Sequence, residues 1–250
     1  MAPIFFQLGP FTLYSYGIMM AVAFGLSTWL AVRDARRLPA GAAVLAPEMV
    51  VDATCAALFG GIAGARLFYV ALHAGEFAHA PLEIVAIWHG GLVWYGGFLG
   101  GALGGWLYTR SRRLPFLRAF DQLSPYVALG HALGRVGCFL NGCCYGAPSD
   151  AWCAVRFPNL PEPVWPTQLF EALGLFFLYR WLRWGQAHGA LQRPGLTAGQ
   201  YLLGYAALRF GLEFLRGDQT VAWEGMTLQQ LVSVGLFAAG LLLARRRAGR

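Results

Sequence analysis

Apolar residues run along this chain in long stretches, separated by short segments that carry most of the arginines. A helix crosses the hydrocarbon core of a bilayer with about 17–25 mostly apolar residues. Seven stretches meet that length: Phe11–Val32, Met49–Leu72, Leu92–Thr109, Phe120–Leu140, Pro166–Trp184, Thr197–Leu215 and Leu228–Ala244. They predict an all-α, polytopic integral membrane protein of about seven transmembrane helices, with residues 1–250 forming a single integral membrane domain. Several stretches contain charged side chains. Facing lipid these would be costly, so they mark helix faces turned toward a polar interior.

The connections set an orientation. Arg33, Arg36 and Arg37 follow the first stretch, and Arg110, Arg112, Arg113 and Arg118 follow the third. Arg180, Arg183 and Arg193 border the connection after the fifth, and Arg245, Arg246, Arg247 and Arg250 end the chain. The opposite connections hold only Arg156 and Arg216. Positive residues stay cytoplasmic, so the N-terminus is expected outside and the C-terminus in the cytoplasm. No basic segment precedes the first apolar stretch, so no cleavable signal is expected. Two outward connections stand out. His73–Gly91 reads as an amphipathic stretch on the membrane surface. Tyr145–Trp165, with Pro148, Pro158, Pro161 and Pro163, reads as an ordered, irregular loop.

Composition agrees with the pattern: 57% of the 250 residues are hydrophobic and 12% charged, against about 25% charged in soluble domains. All 19 basic residues are arginine, and set against 12 acidic residues they give a formal net charge of +7. Nucleic-acid binding would need a basic face on a soluble module, and these arginines lie in clusters between apolar runs. No nucleic-acid partner is expected.

Candidate chemistry sits inside the apolar stretches. The third carries Gly96, Gly97, Gly100, Gly101, Gly104 and Gly105, small residues at four-residue spacing that suit close helix packing. Asp52 and Arg66 share the second stretch, but fourteen residues of helix put them about 21 Å apart, so each needs another partner. Arg209 and Glu213 are spaced for an intrahelical pair. Glu171, beside Gln168, is placed to accept from an arginine of a neighbouring helix. Arg66, Arg135, Arg209 and Arg216 all fall toward the outer half of the membrane. Guanidinium grips phosphate oxygens with two prongs and keeps its charge when partly buried. A phosphate-bearing lipid head is the ligand expected at that depth; separate helix-to-helix salt bridges are the alternative.

The most informative run is Gly134-Arg135-Val136-Gly137-Cys138-Phe139-Leu140-Asn141-Gly142-Cys143-Cys144-Tyr145-Gly146. With it come Tyr14-Ser15-Tyr16-Gly17, Gly64-Ala65-Arg66 and the segment from Trp88 through Gly97. Pro166-Thr167-Gln168-Leu169-Phe170-Glu171 and the segment from Tyr205 through Arg216 complete the series. In this order the motifs resemble the prolipoprotein diacylglyceryl transferases. The resemblance implies a seven-span enzyme of the bacterial cytoplasmic (inner) membrane, working without a cofactor or resident metal. Its substrates would be phosphatidylglycerol, a membrane lipid, and a lipoprotein precursor or another thiol-bearing acceptor. The acceptor thiol of the lipobox cysteine would attack the glyceryl carbon, and glycerol phosphate would leave.

On that resemblance the catalytic residues are Tyr16, Tyr95, Arg135, Cys138, Asn141, Cys143 and Arg209. Substrate binding falls to Arg66, Arg135, Gly146, Gln168, Glu171, Arg209, Glu213 and Arg216. The family run reads Gly-Arg-x-Gly-Asn-Phe-x-Asn-x-Glu-x-x-Gly, so Cys138 replaces an asparagine and Cys143 a glutamate. Tyr95 stands where the family has histidine. A permanent charge is lost, and a tyrosine of pKa about 10, protonated at neutral pH, is a poorer base than histidine.

Five cysteines remain to be read. Cys55, alone in the second stretch, suits packing. For Cys138, Cys143, Cys144 and Cys153 three readings stand: a disulfide from Cys153 to Cys143 or Cys144, a metal site with His131, or a reactive thiol beside Arg135. Other function classes follow from the same features. They are a relative with another acceptor, a membrane thiol–disulfide oxidoreductase, and a lipid-binding protein without catalysis.

Overall fold

The computed structural model describes residues 4–8, 11–38, 43–217, 221–223 and 225–245. The fold is helical, and a long helix forms in each apolar stretch. These are α1 (Ser15–Ala35), α2 (Pro47–Leu72), α4 (Trp94–Ser111), α5 (Phe116–Asn141), α6 (Thr167–Ala187), α7 (Leu196–Glu213) and α8 (Leu228–Ala244). A short helix, α3 (Ala74–His79), lies in the connection after α2. By length and composition, α1 and α2 are long and apolar enough to cross a membrane, and α8 is apolar but shorter.

The first helix starts later than the hydrophobic pattern suggests. Phe11–Tyr14 forms strand β2, which pairs antiparallel with β1 (Ile4–Leu8), Gln7 opposite Thr12 and Phe6 opposite Leu13. Aromatic and β-branched residues there favour extended backbone. A second hairpin, β3 (Val221–Trp223) with β4 (Met226–Thr227), leads into α8. Apolar content alone does not separate such short strands from helix.

The chain divides into two compact units, residues 31–119 and residues 1–30 with 120–250. In the unit of residues 31–119, α2 and α4 pack backbone to backbone. A Cβ at Gly96, Gly100 or Gly104 would run into the carbonyl of Gly64, Gly60 or Ala56 respectively. The glycine stripe is therefore a packing surface, although Gly105 faces open space. Asp52 takes its partners from α4, accepting from the Tyr108 hydroxyl at 3.2 Å and pairing with Arg112 at 3.4 Å.

Arg66, buried at 6% exposure, is an anchor for the connection. Its Nε donates to Ile84 O (2.9 Å), Nη1 to Gly90 O (2.7 Å) and Gly91 O (3.1 Å), and Nη2 to Glu83 O. A guanidinium has five N–H donors, so this set leaves no two-pronged face for a phosphate. The connection itself forms α3 and two 3-10 turns, Pro81–Val85 and Ile87–His89, with Leu82, Val85 and Trp88 exposed.

In the other unit, α7 and α8 approach closely at Gly199 and Gly240, where a Cβ on either would strike the partner backbone. Asp121, buried at 1% exposure, accepts from the backbone N–H groups of Gly195 and Ala198. It thus places a negative charge at the start of α7, where unpaired amides and the helix dipole favour one. Gln186 of α6 donates to Asp121 O at 2.9 Å, tying three helices together at that end.

Candidate active site

At the other end of α7 the polar residues of α5, α6 and α7 converge. On α5, His131, Arg135 and Cys138 stand four and three residues apart and so share one face. On α7, Tyr201, Tyr205, Arg209 and Glu213 follow at steps of four. Arg135 Nε meets Glu171 Oε2 at 2.9 Å, and His131 Nε2 lies 3.6 Å from Glu171 Oε1. Arg209 Nη1 meets Glu213 Oε2 at 2.7 Å, and Glu213 Oε1 accepts from Thr227 Oγ1 at 2.6 Å. Thr227 also caps α8 through a reciprocal box with Gln230. Both guanidiniums act on His131 and Tyr205, whose ring centroids stand 5.1 Å apart.

Each arginine therefore has its own carboxylate. The four-residue spacing of Arg209 and Glu213 predicts the second pair, and the fold makes Arg135 the neighbouring arginine that Glu171 takes as its partner. The exchange keeps both guanidiniums ordered in a site where unpaired charge would be costly. A guanidinium has five N–H donors; each ion pair engages one nitrogen, and Arg135 is also hydrogen-bonded with Tyr205, which leaves further N–H groups for a ligand.

The end of α5 is built by a specific backbone device. Gly142 has φ +74°, its N–H reaches Phe139 O at 3.1 Å, and Cys143 N–H reaches Cys138 O at 3.1 Å. This paired pattern is a Schellman motif, in which the residue after the glycine folds back onto the last full turn. Cys143 is thereby brought against Cys138. Cys144, at φ +61°, turns the chain again in a region that side chains other than glycine and asparagine rarely adopt. The result is that the sulfurs of Cys138, Cys143 and Cys144 all lie within 4.8 Å of one another.

The α6 start holds this turn in place. Gln168 Nε2 donates to Cys143 O at 2.7 Å and Thr167 Oγ1 to Cys144 O at 3.0 Å. Gly146 passes between Leu215 O, Trp165 and Thr167, where a Cβ would collide with all three; its place is one of close chain approach. Hydrogen bonds from the Cys138 and Cys143 thiols, helped by the Arg135 and Arg216 guanidiniums, pull the Cys144 thiol well below the ordinary thiol range, against the opposing effect of burial. Tyr16 of α1 reaches the same group, with Cys138, Cys143 and Arg135 as its electrostatic neighbours. Asn141 is exposed as the last residue of α5 and is hydrogen-bonded with Cys143.

The expected bridge from Cys153 to Cys143 or Cys144 does not form. All five cysteines are free thiols, and it is Cys138, not Cys153, that joins the cluster. His131 is turned to Glu171 and Tyr205, so it is not a fourth member of the thiol group. The helix-ending motif decides both outcomes, because it folds Cys143 back along α5. Tyr95 and Arg66 belong to the unit of residues 31–119, where Tyr95 lies 39% exposed in the first turn of α4, edge-on to Trp94.

A family model described as prolipoprotein diacylglyceryl transferase matches residues 3–245. The chain belongs to the prolipoprotein diacylglyceryl transferase family. It is similar to proteins named phosphatidylglycerol–prolipoprotein diacylglyceryl transferase in several bacteria. The one from Nitrosomonas europaea is 36% identical over 254 residues, 96% of this chain and 88% of that protein. The one from Synechococcus elongatus is 34% identical over 252 residues, covering 96% and 85%. That of Nitratidesulfovibrio vulgaris is 33% identical over 257 residues, covering 99% and 94%. As a member of the prolipoprotein diacylglyceryl transferase family the chain is a bacterial membrane enzyme.

Two features of the polar cluster carry no motif signal, Thr227 and the pairing of His131 with Glu171, and Tyr205 begins the last motif without a role assigned to it. Tyr205 was within reach, since it stands one turn before Arg209 on an otherwise apolar helix. Thr227 was not, because its contact with Glu213 depends on how the second hairpin returns the chain.

Proposed function

We propose that this protein transfers a diacylglyceryl group from phosphatidylglycerol to the lipobox cysteine of a lipoprotein precursor. Family membership over residues 3–245 carries this reading. The convergence of Arg135 and Arg209 from two helices, each held by a carboxylate, supports the assignment of the headgroup site. In this reading their free N–H groups hold the phosphate, with Arg216 contributing charge from the end of α7. Glu171 and Glu213 orient the two forks. Gln168 and Gly146 fix the turn that closes the site.

The acceptor thiol attacks the glyceryl carbon next to the phosphate ester. The carbon–oxygen bond breaks, and its electron pair leaves on glycerol phosphate, whose growing charge the two arginines neutralise. Tyr16 and Asn141 line the approach of the acceptor, and Tyr95 takes the position of the family histidine. In this reading residues 1–250 are a single membrane domain of seven spans in the cytoplasmic membrane, with the N-terminus outside. The exposed Leu82, Val85 and Trp88 rest in the outer interface.

The direct test is complementation of a bacterium depleted of its own prolipoprotein diacylglyceryl transferase, followed by mass spectrometry of a reporter lipoprotein. Growth and a diacylglyceryl-modified reporter cysteine are expected. An expressed, membrane-inserted protein that leaves the reporter unmodified, and purified protein that transfers nothing from phosphatidylglycerol to a lipobox peptide, would together sink the reading.

A further inference from the structure

The thiol cluster has a geometry that the phosphate site does not require. Cys138, Cys143 and Cys144 come from the last turn of α5 and the two residues after its closing glycine. Their sulfurs are mutually within 4.8 Å, and Cys138 is buried. Two left-handed residues, Gly142 and Cys144, flank Cys143. A cysteine at φ +61° is a strained choice where glycine would be cheaper, and such strain persists where the surroundings over-determine it. Gln168 and Thr167 supply that constraint by holding the carbonyls of Cys143 and Cys144.

Zinc bound to thiolates at about 2.3 Å in a tetrahedron sets the sulfurs roughly 3.8 Å apart, a spacing this trio reaches with sub-ångström shifts. Three protein ligands and one open position is the pattern of catalytic rather than structural zinc. Three thiolates around a divalent ion leave one net negative charge, and Arg135 and Arg216 both act on Cys144 with the opposite sign.

We infer that Cys138, Cys143 and Cys144 bind a zinc ion whose open fourth position takes the acceptor thiol and activates it for alkylation. The inference rests on the transfer reaction proposed above. It answers a specific gap, since this chain has neither the family glutamate at Cys143 nor the family histidine at Tyr95 to take the thiol proton. A coordinated thiol is deprotonated outright by the metal. The step balances without an oxidant or reductant. The acceptor S–H gives its proton to solvent as the sulfur binds zinc. The sulfur then forms the C–S bond to the glyceryl carbon, and the C–O pair departs with glycerol phosphate. The thioether product is a neutral, weaker ligand, which frees the position for the next acceptor.

The test uses the full-length protein in detergent, stripped with a chelator under reducing conditions and reloaded with Zn(II). Metal analysis should find about one zinc per chain, and Co(II) in its place should give sulfur-to-metal charge-transfer absorption with the intensity of a thiolate-rich tetrahedral site. Cys138→Ser, Cys143→Ser and Cys144→Ser should each abolish tight zinc binding, whereas Cys55→Ser and Cys153→Ser should retain it. Adding a lipobox peptide should shift the Co(II) spectrum, and a peptide with serine for its cysteine should not. Transfer should fall at least about tenfold in the stripped protein and return with Zn(II). Three single variants guard against misfolding of any one, with thermal unfolding of the apo forms measured alongside. Undiminished transfer by metal-free protein would overturn the inference while leaving the proposed function standing. Zinc bound as expected with no transfer under any condition would refute the function instead. A disulfide between two of the three thiols in protein freshly extracted from membranes would also overturn the zinc site.

Discussion

Arg135 and Glu171 meet at 2.9 Å with side-chain exposures of 19% and 6%, which makes their pair sensitive to loss of either partner. Removing one member of a buried pair typically costs 3–5 kcal/mol, because the other charge is left uncompensated. Glu171→Gln is expected to destabilise by about 3 kcal/mol, the lower end, since Arg135 keeps some access to solvent. Thermal unfolding in detergent measures this, and an unchanged midpoint would show that the pair does not hold the site. Arg135→Lys separates charge from geometry. Lysine preserves the ion pair but has no fork, and charge-assisted bonds to phosphate contribute about 1.5–3 kcal/mol each. Transfer is expected to drop tenfold or more with little change in stability. Equal turnover by the lysine variant would argue against two-pronged phosphate binding at this residue.

Helix ends and helix faces govern the next scale. Gly142 ends α5 at φ +74°, and a Cβ in that conformation costs about 1–2 kcal/mol. Gly142→Ala is therefore expected to lower stability by about 1 kcal/mol and to loosen Cys143 from Cys138, read as faster alkylation of Cys138 by a small maleimide. Unchanged alkylation would mean that the turn does not depend on the glycine. Between α2 and α4 the contact is backbone on backbone, so Gly100→Leu cannot be accommodated by a side-chain shift. That variant is expected to fail to accumulate in membranes, whereas Gly105→Leu, facing open space, should accumulate normally. Equal accumulation of the two would contradict the packing.

At the scale of the whole molecule, orientation follows from the arginine distribution. Fourteen arginines border or follow the connections expected in the cytoplasm, against Arg156 and Arg216 outside. A fluorescent protein that matures only in the cytoplasm should glow when fused after Arg250, and a periplasmic phosphatase fused there should stay inactive. The reverse pair of results would invert the proposed topology.

The positions of all seven long helices were legible in the sequence, because a run of apolar side chains long enough for a span favours helix regardless of what packs against it. The Arg209–Glu213 pair was legible too, since four-residue spacing fixes proximity within one helix. Family membership was written in the ordered motifs. Other features depended on distant parts of the chain coming together. The start of α1 at Ser15 depended on a hairpin competing for Phe11–Tyr14. Arg66 was a plausible phosphate ligand until the returning connection filled its donors with carbonyls. The thiol that joins Cys143 and Cys144 was decided by the way α5 ends. Four residues separate Cys138 from Cys143 in the chain, and only the left-handed glycine between them turns that spacing into contact.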